Sequence, residues 1–193
     1  VLVAFEHPAG KIAIEVEGPD GSLKNVKELS AGGPPYWMAA HFRPGSVGAC
    51  RIDIKYAGKV VRSLNVEVAA AGGRGGKISP SSSWTGKGWG REEENLYSAW
   101  LEAMFLESEE GASWDSLNKV TENAEANLLH DHLGAGEDDA GRPTSLRMEP
   151  DCADAPFFFR AYFSWKLGLP LALLFVAVAT FLVPVFWPFY PTP

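Results

Sequence analysis

Cysteine is scarce in this 193-residue chain: Cys50 and Cys152 are the whole complement, too few for a disulfide framework and too few to fix a redox compartment. Positive charge is also short. Lys and Arg number 17 against 24 Asp and Glu, a net charge of −7. Residues 1–80 carry ten cations and seven anions, a local balance of +3, whereas residues 81–193 carry seven and seventeen, a balance of −10. An acidic larger half excludes nucleic acid as a partner, because phosphate neutralisation needs a basic surface. The Gly72-Gly73-Arg74-Gly75-Gly76 run lacks the strand–loop–helix context and the Lys-Ser/Thr pair of a phosphate loop. No His occurs after His132 and no charged residue after Lys166. No signal peptide is visible, and a first residue of Val rather than Met points to a processed or partial product.

What is present reads as a globular chain, 46% hydrophobic and 21% charged, long enough for one medium domain or two small ones. Residues 1–70 have strand character. Lys11 to Glu17 alternates polar and apolar residues, the period of a half-buried strand, and Gly18-Pro19-Asp20-Gly21 is a turn. Further strands are predicted over Tyr36–Phe42, Cys50–Tyr56 and Val60–Val68, with Ala57-Gly58-Lys59 as a hairpin loop. In the third, Cys50, Ile52, Ile54 and Tyr56 share one face and Arg51, Asp53 and Lys55 the other. Tyr36, Trp37 and His41 offer a ligand face, although aromatics at strand spacing are usually core. Short strands at about ten-residue spacing predict an antiparallel β-sandwich. The turn-then-strand pattern Pro44 to Ile52 resembles bacterial immunoglobulin-like modules.

Residues 71–90 are rich in Gly and Ser, the composition of a flexible linker, with Trp84 and Trp89 as candidates to dock on a neighbour. Residues 91–168 read as helical. Arg91–Glu107 lines up Leu96, Tyr97, Trp100, Leu101, Met104 and Phe105, with Glu92, Glu93 and Glu94 in the first turn, where carboxylates favour the helix dipole. A short helix capped by Ser113 is expected to run through Val120, and another from Ala124 to Leu133. Residues 153–168 form an aromatic helix, and residues 169–193 an apolar tail. In that tail Leu171–Tyr190 spans 20 residues, about 30 Å if helical, enough to cross a bilayer core. Pro184 and Pro188 interrupt it, and Trp187, Phe189 and Tyr190 suit a membrane interface. Arg160 and Lys166 precede the tail, and by the positive-inside rule they would place the soluble part in the cytoplasm. The expected class is α+β: an antiparallel β-sandwich, a mainly helical region and an apolar C-terminal helix.

The candidate chemistry centres on Cys152, where a loop turns into the aromatic helix. Helix N-terminal N–H groups stabilise a thiolate there. Asp151-Cys152, an apolar helix and Gly168-Leu169-Pro170 together resemble the nucleophile segment of NlpC-type papain-like cell-wall peptidases, over about twenty residues. The resemblance implies a partial papain-like domain over 91–168, Cys152 as nucleophile, a peptidoglycan or peptide amide as substrate, no cofactor, and a cell-envelope location. Ala153-Asp154 stands where the family has Ser-Gly, and the family's His after the Cys has no counterpart. His130 and His132, upstream, are the remaining candidates for the base. Two other readings of Cys152 are a buried structural thiol and a disulfide to Cys50. His130 and His132, followed by Glu137, Asp138 and Asp139, carry donors for a divalent ion. Imidazoles at i and i+2 diverge on a helix, however, and the spacing matches no metal motif, so a solvated loop is expected. The non-enzymatic alternative is a β-sandwich binding module tethered to a membrane through Leu171 to Tyr190.

Overall fold

The computed structural model describes residues 1–6, 12–22, 26–42, 44–68, 88–143 and 145–171. Seven strands come first: β1 (Leu2–Phe5), β2 (Ile12–Gly18), β3 (Gly21–Ser22), β4 (Lys27–Ala31), β5 (Tyr36–His41), β6 (Gly48–Tyr56) and β7 (Lys59–Val68). Three helices follow: α1 (Arg91–Phe105), α2 (Leu117–Thr121) and α3 (Ala155–Leu167). The chain is therefore α+β, with the β half first. All strand pairs are antiparallel, in sheets of order β1-β5-β4 and β3-β2-β6-β7.

Alternation decides which faces are buried. Ile14 and Val16 of β2 and Cys50, Ile52 and Ile54 of β6 point inward, while Glu15, Glu17 and Arg51 stay exposed. Tyr56, at the end of that row, is 49% exposed because the β6–β7 hairpin carries it past the opposing sheet's core. The hairpin closes through two residues, Ala57 and Gly58, at φ 48° and 78°. Two successive left-handed residues make the tight turn whose twist matches paired strands.

β5 is the middle strand of its sheet and is covered on both sides. Met38 and Ala40 meet Ile14, Val16 and Ile52 of the other sheet. Trp37 and Ala39 face the opposite way and pack against Ala99 and Ala103 of α1. Those two alanines let the helix lie close on the sheet. The indole Nε1 of Trp37 donates to Glu102 Oε2 at 2.7 Å. The next residues round α1, Trp100 and Met104, turn to the helical half and join Leu117, Val120, Tyr162 and Phe163 in its core. One helix thus serves two cores.

α3 begins where Pro156 can be accommodated, in the first turn, and ends at Gly168, whose φ of 65° closes the last turn. Gly168 N donates to the Trp165 carbonyl and Leu169 N to the Ser164 carbonyl. Two helix expectations need correction. The short helix starts after Ser116 rather than Ser113, because the Leu117 N–H is taken by the Met148 carbonyl at 2.9 Å. Ala124–Leu133 is a series of turns, not a helix. Asn123 Oδ1 accepts from the N–H of Glu125 and Ala126, Asn127 Oδ1 from that of Leu129, and Asp131 sits at φ 47°. These local bonds compete with helix formation. Among the described residues no helix is long and apolar enough to cross a membrane. Residues 172–193, which hold nearly all of the apolar tail, lie outside the description, as does Trp84.

Candidate functional site

Cys152 occupies the turn that leads into α3. The Asp151 carboxylate organises that turn: its Oδ1 accepts the N–H of Ala153 at 2.8 Å and of Asp154 at 2.9 Å, and its carbonyl accepts those of Asp154 and Ala155. Asp151 thereby closes the turn that precedes α3, whose own N-cap position is Asp154. The Cys152 side chain is exposed and free, and Cys50 is free and buried in β6. Cys152 is therefore neither a buried structural thiol nor a partner of Cys50.

The two imidazoles go elsewhere. His130 is half-buried on a cleft of about 730 Å³ between the β half and the turns that follow α2. Lys27, His41, Phe42, Glu125 and Leu128 also line it. Burial holds the His41 imidazole below its usual pKa, helped by the Lys27 charge and opposed by Glu107 and Glu125. His132 is half-buried beside Lys166. Burial, then the Lys166 charge, lowers its pKa, with Glu137 acting the other way. Among the described residues no hydrogen bond joins Cys152 to His130 or His132. A neutral imidazole can serve as a base, but neither is engaged with the thiol in this arrangement.

The acidic loop is not the solvated segment expected of it. Glu137 is 1% and Asp138 5% exposed, and both pair with Lys166 of α3, itself 2% exposed. Glu137 also accepts the N–H of Leu133 at 3.0 Å and of Ala135 at 3.1 Å. Asp138 accepts the Asp131 N–H at 2.8 Å and the Tyr162 hydroxyl at 2.9 Å. Asn127 extends the chain of bonds: its Nδ2 donates to Tyr162 Oη and to the Thr121 carbonyl, and its Oδ1 accepts from Trp100 Nε1. Burial drives the Glu137 carboxyl up, yet Asp131, Lys166 and the Leu133 N–H outweigh it and hold the pKa down at about 2. Burial and then contact with Glu137 raise Asp131. Tyr162 is raised by burial and by the Asp138 charge, and stays a hydroxyl donor.

With their oxygens committed in this way, Glu137 and Asp138 are not open metal ligands. Among the described residues no three His, Cys, Asp or Glu side chains are placed to hold a metal ion. The cluster is instead a bolt between the 131–138 loop and the helix that carries Cys152 at its entry. Removing Lys166 alone would leave two buried carboxylates uncompensated, a loss of about 3–5 kcal/mol in comparable pairs. A Lys set between Trp165 and Leu167 in a strongly aromatic helix was the signal that sequence reasoning passed over.

A second clamp holds the front of α3. The Arg160 guanidinium lies 3.7 Å from the Trp89 ring centroid and pairs with Glu94 of α1. Trp89 packs on Tyr97 and Phe163 and donates from Nε1 to the Pro170 carbonyl at 2.8 Å. The expected docking of Trp89 is thus realised. Arg160 and Lys166, read from sequence as the charged flank of a membrane segment, are both spent inside the fold, which leaves the positive-inside argument without its two charges. Comparison with protein-family models, curated proteins and solved structures finds no match for this chain.

Proposed function

We propose that this chain is a cell-envelope protein in which an immunoglobulin-like β-sandwich is fused to the leading part of a papain-like, NlpC-type amide hydrolase domain, with Cys152 as its nucleophile. The observation that carries this reading is the position of Cys152: exposed, in a turn closed by Asp151, leading into a helix anchored by two separate ion-pair clusters. The Asp151 bonds fix the turn, and the two ion-pair clusters fix the helix that follows it. In the implied reaction the sulfur attacks a peptide carbonyl, the C–N bond breaks as the amine leaves with a proton, and water hydrolyses the thioester to release the acid. Peptidoglycan stem peptides are the substrate class, and no cofactor is required.

The test is the rate of Cys152 alkylation by iodoacetamide from pH 4 to 10, in a Cys50→Ala background. The expected result is alkylation at neutral pH faster than that of an unstructured cysteine peptide, followed by turnover of peptidoglycan fragments that Cys152→Ser abolishes. An ordinary alkylation rate together with no turnover would overturn the hydrolase reading. The second reading, a non-enzymatic binding module tethered through Leu171 to Tyr190, draws support from the absence of a hydrogen-bonded imidazole at Cys152 among the described residues. It expects vesicle association without hydrolysis.

A further inference from the structure

The two sheets have four edges, and three are protected in the ways edge strands usually are. β3 is two residues long, β1 packs on α1, and the five-residue β4 begins with Lys27 and Glu28, Lys27 being paired with Glu107 of the helical half. The fourth edge, β7, also carries charge at Lys59, Arg62 and Glu67, but it is twice the length of β4. Among the described residues it runs ten residues beside β6 only, with eight of the ten exposed and no strand on its outer edge. It also carries apolar residues in the open: Val60 is 47% exposed, Val61 62% and Val66 38%. Pairing opposite Ile52 and Cys50 puts Leu64 and Val66 on the inner face, where the smaller facing sheet leaves them only partly covered.

We propose that β7 pairs antiparallel with β7 of a second copy of this chain, about a two-fold axis normal to the sheet, joining two four-stranded sheets into one of eight. The occupant follows from the strand's complementarity with itself. Such an axis keeps both inner faces on the same side, so opposed residues must share a face. Past the irregularity opposite Ile54 and Lys55, the stretch Arg62–Val68 is regular. A register centred on Asn65 sets Leu64 against the partner copy's Val66, and the reverse, on the inner face. On the outer face it sets Ser63 against Glu67 twice and Asn65 against itself, where amides can exchange hydrogen bonds. Arg62 falls opposite Val68, and no like charges are opposed, as cross-strand pairing requires.

One strand pair buries less than a standard interface, so the expected dimer is weak, with a Kd of roughly 10–100 µM. Sedimentation of the full chain from about 1 to about 500 µM brackets that range. The expected result is reversible dimerisation, weakened at least tenfold by Val66→Lys with an unchanged circular dichroism spectrum. In a Cys152→Ser background, Asn65→Cys is expected to form a disulfide-linked dimer on mild oxidation, whereas Ser63→Cys cross-links only when mixed with Glu67→Cys. A monomer at every concentration would overturn the proposal. So would a dimer that Asn65→Cys fails to cross-link, since its interface would lie elsewhere.

Discussion

Asp131, His132 and Glu137, gathered around the buried Lys166, set the protein's response to acid. The lowered His132 pKa favours folding above the unfolded imidazole value of about 6.5 and is lost as pH falls below it. The lowered Glu137 pKa contributes stability above about 4.3, lost as pH falls towards 2. Asp131, raised, works in the opposite sense, favouring the fold in acid and losing that contribution as pH rises. The expected result in urea titrations from pH 7 to 5 is that His132→Gln shows a smaller loss of midpoint than the parent chain, the difference isolating the imidazole. Equal slopes would mean that His132 is not desolvated in the fold. None of this was legible in the sequence. Lys166 meets partners 28 and 29 residues away in a loop without periodicity, and only its isolation among Trp165, Leu167 and Leu169 hinted at a buried counter-ion.

Elements with a strong period were legible, and those shaped by their neighbours were not. β2, β6, α1 and α3 follow the alternation or helical stripe of their own residues. β1 is a short apolar run with one face on the other sheet's core and one on α1, so it never alternates polar and apolar. β4, Lys-Glu-Leu-Ser-Ala, has few strand formers and takes its conformation from pairing with β5. The hairpin loop was placed correctly, but its chemistry is imperfect. Ala57 holds φ 48°, a conformation that costs a residue with a Cβ roughly 1–2 kcal/mol. Ala57→Asn, which makes the favoured Asn-Gly pair, is expected to raise stability by roughly 0.5–1 kcal/mol. Chemical denaturation would detect the gain, and a loss would mean that the Ala57 methyl is needed where it sits.

For the whole molecule, the sequence suggested two units on a flexible tether, and the packing joins them. α1 contributes Ala99 and Ala103 to one core and Trp100 and Met104 to the other, and Lys27 of β4 pairs with Glu107 just past its end. The β half and the helical half are therefore expected to unfold together, with far-ultraviolet circular dichroism and tryptophan fluorescence giving one coincident transition. Ala99→Leu, which overfills the contact beneath Trp37, is expected to lower both midpoints alike by the equivalent of about 1–3 kcal/mol. Two separated transitions would restore the independent-unit view. The composition of residues 71–90 gave no warning, because a Gly/Ser-rich stretch says how a chain can bend and nothing about whether the pieces it joins adhere.

The bond from Trp89 to the Pro170 carbonyl has a practical corollary. One indole joins residues 81 positions apart, the lead into α1 and the exit of α3. The same indole lies under Arg160 at the front of α3, so it touches both ends of that helix. Its fluorescence is a built-in reporter of how that helix sits, readable without attaching a label.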